Sequence, residues 1–363
     1  MKVLIVNTIL FRENGVTAVI MNYFKNMNKT GMQVDFLVVN EINPKFRNEI
    51  ESNGSNIYHI PRNKNVLSYM NQLRKLVKKN KYDIVHVHGN SAMMLIDLLP
   101  IKLGGAKVRI AHSHNTTCSH MTVHKLFNPM FQKLCTHPLA CGEAAGKWLF
   151  PNREFTVLNN GIDVSKFAFN PETREKYRAK INAGNKKVIG HVGNFLEQKN
   201  HTFLLEVFAD LLKKDDNYIL LLIGTGLLMD DIKAKAEELK IQDNIIFLGT
   251  TFEVPEYMQA MDSFVLPSLF EGLAIVSLEA QATGLQCLIS NQVTMEAKMS
   301  SQTEFLPIND KTLWSEKILG LKDVNRESVS VETINTLTER GYDIKSNANK
   351  LNEIYKSALD SVK

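Results

Sequence analysis

The sequence predicts an α/β protein built from two doubly wound parallel sheets facing a cleft, and three observations predict it. Apolar runs of strand length alternate with segments of helical apolar spacing along most of the 363 residues. The alternation lapses once, at 157–177, where Asn159, Asn160, Gly161 and Pro171 are turn formers and no period is sustained. It then restarts in the same style. Strands separated by helices make parallel sheets, and a chain of this length exceeds one ordinary core.

In order, Val3–Val6 reads as a short buried strand, and Val16–Phe24 carries helical spacing after a turn at Gly15. Strands follow at Asp35–Val39 and Ile57–Ile60, then a basic amphipathic helix from about Val66 to Lys79. Ile84–Val87 is a fourth strand, Ala92–Leu103 a Met-rich helix, and Val108–Ala111 a fifth strand running into His112 and His114. Residues 121–135 read as helical with a break near Pro129, and Leu139–Cys141 as a sixth strand. The second half gives strands at Val188–Val192, Ile219–Ile223 and Ile245–Leu248, with helices at about Thr202–Leu212 and Leu228–Leu239. Residues 263–290 form a strand, loop, helix, strand unit: Phe264–Leu266, a loop from Pro267, apolar positions at Ile275, Leu278 and Ala282, then Cys287–Ile289. Gly284 sits where a left-handed cap belongs. The tail ends in a helix marked by Ala348, Leu351, Ile354, Tyr355 and Ala358.

Composition is that of a globular protein, with 44% hydrophobic and 22% charged residues. No apolar run approaches the roughly 18 to 20 residues that span a bilayer. MKVLIVNTIL is interrupted by Asn7 and Thr8 and lacks a small-residue cleavage site, so it reads as a first strand rather than a signal peptide. Cys118, Cys135, Cys141 and Cys287 have no CxxC or metal-like spacing, which favours a reduced, cytoplasmic compartment. Residues 1–164 carry 20 Lys+Arg against 10 Asp+Glu, and 165–363 carry 23 against 28. A basic first half suits an anionic surface or substrate, or is simply solvated. Its cations are not interleaved with aromatic platforms, which argues against nucleic acid.

Several chemistries lack their motifs. There is no GxGxxG after the first strand; Gly224-Thr225-Gly226 is the only tight glycine pair after a strand and has no third glycine. Walker A, a nucleophile elbow, zinc spacing and a metal-binding DxD are missing too. Strand-end loops suited to anions are present. Asn14-Gly15 opens a helix, where backbone can approach a phosphate closely. Lys199 follows the strand at Val188–Val192 and can neutralise a departing diphosphate, or be merely solvated. Glu271 and Glu279 bracket a helix N-terminus, an anion site flanked by two carboxylates able to accept hydroxyl hydrogens. Taken alone, they read as a first-turn glutamate favoured by the helix dipole and a solvated one, and the rest of the chain has to shift that reading. His86 and His88, and His112 and His114, lie at alternate positions of adjacent strand ends, each pair on one face. They are either satisfied core histidines or cleft residues that bond a sugar hydroxyl. No carboxylates stand at ligand spacing, so no metal is expected.

With these loops in order, the chain resembles the retaining glycosyltransferases of the GT-B fold, group 1 family. The resembling segments are NGV (14–16), DIVHVHG (83–89), RIAHSHN (109–115), VLNNGIDVSKF (157–167), GHVGNFLEQKNH (190–201), LLIGTG (221–226) and residues 247–285. The E-x7-E pair within that last segment is the most specific, and the HSHN and QKNH elements are similar to members that build bacterial capsular or exopolysaccharides. The resemblance implies domains at 1–164 with a returning helix at 345–363, and at 165–344. Glu271 would hold donor-sugar hydroxyls, the N–H groups of Gly272 and Leu273 the diphosphate, and Glu279 the ribose. Lys199 would pair with the diphosphate, Gly15 would admit the donor, and His114, or in its place His112, would line the cleft near the reacting carbon.

One position departs from the family: Asn194 stands where an arginine usually follows the glycine. Either another cation substitutes, Arg12 being the candidate, or activity is weak. The expected activity is metal-independent, cofactor-free transfer of a hexosyl unit from a UDP-linked rather than GDP-linked sugar. The expected acceptor is a glycan or lipid-diphosphate-linked glycan, at the inner face of a membrane. The alternatives are a GT-B UDP-sugar epimerase or hydrolase, and a non-catalytic nucleotide-sugar-binding homologue.

Overall fold

The computed structural model describes residues 1–12, 14–62 and 65–362. They form two compact units, Met1–Gly161 with the segment from Ile344, and Ile162–Asp343. Lys363, the last residue of the expected returning segment, lies outside the described residues.

The first unit runs β1 (Lys2–Asn7), α1 (Gly15–Asn26), β2 (Gln33–Val38), α2 (Pro44–Ser52), β3 (Ile57–His59), α3 (Val66–Asn80) and β4 (Ile84–Gly89). It continues through α4 (Leu95–Leu103), β5 (Val108–Ser113), α5 (Met121–Leu134), β6 (His137–Ala140), α6 (Glu143–Leu149) and β7 (Thr156–Val157). The described strands form one parallel sheet in the order β3-β2-β1-β4-β5-β6-β7. Helices cover both faces, which is why β4 is buried at every position. The Asn14 side chain accepts from Thr17 N and starts α1; Asn65 does the same for α3 through Ser68 N. The expected break at Pro129 does not occur: α5 runs on with Pro129 inside it. A proline costs one i→i−4 bond, and burial of Phe131 and Leu134 on the core side outweighs it.

The second unit holds α7 (Val164–Phe167), α8 (Pro171–Lys180), β8 (Lys187–Val192), α9 (His201–Leu212), β9 (Tyr218–Ile223), α10 (Met229–Glu238) and β10 (Ile245–Gly249). Then come α11 (Val254–Ala260), β11 (Ser263–Leu266), α12 (Ile275–Ala282), β12 (Gln286–Ser290), β13 (Thr303–Leu306), α13 (Lys311–Leu319) and α14 (Arg326–Glu339). The described strands give a second parallel sheet, β10-β9-β8-β11-β12-β13. The stretch at 157–177 is not structureless. It contains α7 and the start of α8, which Pro171 opens and Asn170 caps through Thr173 N. α8 shows no apolar period because Tyr177 is its only buried side chain; instead Arg174 and Arg178 fasten it to Asp262.

The chain closes with α15 (Ile344–Asp360), whose buried face of Ile344, Ala348, Leu351, Tyr355 and Ala358 joins the core of the first unit beside α1. Gly161 is small because it must be: a Cβ there would meet the Ile344 backbone at 2.7 Å.

Candidate active site

In each sheet the strand order reverses beside the first strand, between β1 and β4 and between β8 and β11. Loops that leave the carboxyl ends of strands at such a point diverge and leave a crevice. In the second unit these are the β8–α9 loop, with Asn194 and Lys199, and the β11–α12 loop, with Glu271 and Gly272.

The two loops are stitched together before any ligand arrives. Leu269 N donates to Gln198 O at 2.8 Å, Gln198 Nε2 to Phe270 O at 3.0 Å, and Asn200 Nδ2 to Pro267 O at 3.2 Å. At the centre the Lys199 ammonium is bonded to Glu271 Oε1, which also accepts from Ser268 Oγ at 3.2 Å. Both charged side chains are mostly buried, 17% and 12% exposed, and neutralise each other. Ser268 was not anticipated as a site residue, although it stands in the same loop as Glu271.

Gly224 and Gly226 explain the incomplete glycine pair. Gly224 has φ 138°, and a Cβ on it would strike the Gly193 carbonyl. A Cβ on Gly226 would strike Phe195, whose N–H bonds Thr225 O at 3.0 Å. These glycines let the loop after β9 brace the loop after β8. Gly193 in turn lies over His191 Nε2 and the Lys199 stem, each 3.1 Å from where its Cβ would be.

α12 begins at Ala274 with no side-chain cap, so its first N–H groups keep their polarity for an anion. Gly272 is exposed, with nothing within 4 Å of a Cβ position, and Leu273 packs onto the core. Glu279 sits on the same helix, half-buried, and burial pushes its carboxyl up to about 8. Asn194 is exposed, its backbone oxygen accepting from Leu196 N at 2.8 Å.

In the first unit Arg12 is exposed in the β1–α1 loop. Gly15 opens α1 with open space around it, so nothing in the described structure itself demands glycine there. The histidines are drawn together more closely than alternation suggests. His86 Nε2 lies 3.3 Å from His112 Nδ1, and His88 Nδ1 2.8 Å from His114 Nε2. The two pairs stack, with centroids 4.2 Å apart for His86 and His88 and 4.3 Å for His112 and His114. His86 Nδ1 also meets the Tyr355 hydroxyl at 2.7 Å, a partner with no signature in the amino-acid pattern. Burial holds these imidazoles neutral, pushing His86 down to about 3, His114 to about 4, and His88 and His112 well below the usual range. His112 has no exposed surface, which removes it as a cleft residue: its ring is packed inside the unit against His86. His114 is half-exposed at the strand end.

Residues 173–327 match the family described as glycosyl transferases group 1, and 13–166 match glycosyltransferase family 4. Over 358 residues the chain is 32% identical to the EpsF glycosyltransferase of Bacillus subtilis (strain 168), covering 94% of this chain and 93% of that one. The chain belongs to the group 1 glycosyltransferases. This glycosyltransferase is also 26% identical to CapH of Staphylococcus aureus, a capsular polysaccharide biosynthesis glycosyltransferase, over 93% of this chain and 98% of that one. An Escherichia coli UDP-Gal:alpha-D-GlcNAc-diphosphoundecaprenol alpha-1,3-galactosyltransferase shares 26% identity over 78% of this chain and 77% of its own. Among solved structures, Anabaena HepE in complex with UDP superposes with a TM-score of 0.79 at 15% identity, over 98% of this chain and 100% of that one. The fold is GT-B.

Proposed function

We propose that this glycosyltransferase moves a hexosyl unit from a UDP-linked sugar, with retention at the anomeric carbon and without a metal, onto a lipid-diphosphate-linked or free glycan in surface polysaccharide synthesis. The Lys199–Glu271 pair beside the uncapped start of α12 carries this reading, because both partners are held for exchange. A diphosphate takes over the Lys199 ammonium and the N–H groups at Gly272 and Leu273. The released Glu271 then accepts from a donor-sugar hydroxyl, and Glu279 from the ribose. The C1–O bond to phosphate breaks with its electron pair on the diphosphate, which Lys199 and the helix end stabilise. An acceptor hydroxyl bonds to C1 on the same face and passes its proton to the leaving phosphate oxygen. The family resemblance adds His114 for the reacting sugar and Gly15 for access of the donor. The preference for UDP draws on the E. coli relative's name and on the HepE complexes.

The basic first unit suits an anionic membrane face on the cytoplasmic side, not nucleic acid. α3 carries exposed Leu67 in its first turn and exposed Arg74, Lys75, Lys78 and Lys79 further along; on α5, exposed Leu126 and Met130 stand beside Lys125 and Lys133. No described helix is long and apolar enough to cross a membrane. Binding to liposomes that ignored both anionic lipid and salt would defeat this part.

The main test is a thermal-shift panel of UDP- and GDP-linked sugars, repeated in EDTA, followed by UDP release with and without acceptor. A UDP-sugar should raise the melting temperature, EDTA should not abolish transfer, and Glu279→Ala should lose the shift. A response confined to GDP-sugars, or a product of inverted configuration, refutes the reading.

A further inference from the structure

The four histidines of the first unit form a hydrogen-bonded device with a direction. Three of them, His86, His88 and His112, bring ring nitrogens within 4.8 Å of one another. Their planes are nearly parallel, 14° to 36° apart, so the lone pairs lie in stacked planes rather than converging on a point. In each cross-strand pair the two nitrogens face each other. The result is a two-rung ladder, not a metal cage. The inner rung, His86–His112, ends on Tyr355; the outer rung, His88–His114, ends at the half-exposed strand terminus.

We propose that His88 is the positioning residue for His114, fixing its ring plane and its tautomer. The inference rests on the reading that His114 acts on the sugar. His88 is clamped as such a residue must be. Its carbonyl accepts from Thr8 N at 3.2 Å and from Thr8 Oγ1 at 2.8 Å. The next residue, Gly89, is pressed so close to Met94 Sδ and Thr8 Oγ1 that a Cβ would lie 2.8 Å from each. The His88 ring is stacked on His86 and 3% of the residue is exposed.

His114 then has one nitrogen to spare. Its Nε2 is committed to His88, and its Nδ1 is buried without a hydrogen-bond partner. A neutral imidazole carries one N–H and one lone pair. If His88 Nδ1 carries the proton, His114 Nε2 accepts it and His114 Nδ1–H is a donor. If His114 Nε2 carries it, His114 Nδ1 is a bare acceptor for a hydroxyl. The tautomer of His88 is thus read out at His114 Nδ1, across one hydrogen bond and without net proton transfer. The same link holds the His114 ring from swinging about χ1.

Two substitutions at His88 separate this from packing: His88→Leu removes the ring nitrogen, and His88→Asn keeps a polar atom near Nδ1. The donor is whichever of UDP-glucose, UDP-galactose and UDP-N-acetylglucosamine gives the largest thermal shift, and UDP release is measured. His88→Leu should lower kcat about tenfold to a hundredfold, the scale of a misplaced reacting group, with KM for the donor within about twofold. His88→Asn should recover most of the rate. Nitrogen-15 spectra of wild type should show His114 in one tautomer. A mixture of tautomers in wild type overturns the proposal, and needs no variant to fold. If His114→Ala cripples release but His88→Leu does not, positioning by His88 is wrong while the role of His114 stands. If His114→Ala is itself without effect, the role of His114 falls and the proposal falls with it.

Discussion

The second unit keeps its functional charges by pairing them, whereas the first keeps its imidazoles uncharged by burying them together. Lys199 and Glu271 serve as each other's counterion inside a loop crossing. Among the described residues His86, His88, His112 and His114 have no carboxylate partner, and they survive burial as neutral rings that bond one another. In the proposed reaction the charged pair would exchange partners when a diphosphate arrives. A neutral ladder cannot do that, but it can fix the orientation and tautomer of the ring at its end.

The largest effect that could break this contrast is acid unfolding of the first unit. The folded-state pKa values of these histidines lie below the unfolded value near 6.5, so below that pH the unfolded chain binds more protons. Stability is complete above about pH 6.5 and is lost as pH falls towards 4. Each ring that stays neutral contributes about 1.4 kcal/mol of loss per pH unit. Melting curves from pH 7 to 4.5 should therefore fall steeply, and His86→Gln should flatten part of the slope. A melting temperature indifferent to pH in that window would mean the rings are not held neutral.

Next comes the pair itself. Lys199→Ala should slow UDP release by about a hundredfold to a thousandfold, the cost of losing one preorganised cation at a leaving group. It should also weaken UDP binding, with unchanged circular dichroism. A loss under about fivefold would make the Lys199–Glu271 bridge a structural clip rather than a donor site.

The third effect belongs to Glu279, which breaks the rule of the second unit by being half-buried with no opposite charge beside it among the described residues. Its folded-state pKa, about 8, lies above the ordinary value of 4.5. The folded chain holds a proton that the unfolded chain releases, so stability falls as pH rises from about 4.5 to about 8. Glu279→Gln should thus stabilise the empty protein above pH 8, on the order of 2 kcal/mol once partial exposure is discounted. If Glu279 accepts from the ribose as proposed, UDP binding should show the opposite dependence, because only the carboxylate accepts from both ribose hydroxyls. Calorimetric affinity should tighten from pH 6 to pH 8, and Glu279→Gln should level it. A flat wild-type profile would place the ribose elsewhere.

The same contrast explains what could be read in the chain beforehand. Alternating apolar runs announced both sheets, because a parallel strand covered on two faces has little choice of residue. The E-x7-E pair and Lys199 stood out because charge in a strand-end loop is chemically conspicuous. Ser268, which holds Glu271, is too small a side chain to advertise itself. Tyr355 lies 241 residues beyond His114, and its helix shows an apolar face with no hint that one hydroxyl ends a ladder. His112 and His114 look equivalent in HSHN, yet two residues along one strand make one a core ring and the other a strand-end ring. Helices α13 and α14 were not anticipated, since their buried faces rest on Trp314, Ile318, Ser330, Thr333 and Leu337 at sparse spacing.

The smallest expected effect is the most pointed, because it concerns the one place where the second unit is short of charge. Asn194 is exposed at the loop that Gly193 and Gly224 hold in place, so an arginine there needs no cavity and displaces no packed neighbour. Its guanidinium would reach solvent at no desolvation cost in the empty protein and gain a partner when diphosphate enters. Asn194→Arg should therefore raise the rate of UDP release by about tenfold, less than Lys199 is worth, since a second cation acts on a charge already half neutralised. Arg12→Ala decides how the native chain manages. If Arg12 already supplies the second cation, Arg12→Ala should cost activity in wild type and little in Asn194→Arg, a coupling that a double-mutant cycle measures. Independent effects would free Arg12 of that role, and a slower Asn194→Arg would show that the diphosphate leaves along a path the loop tip does not border.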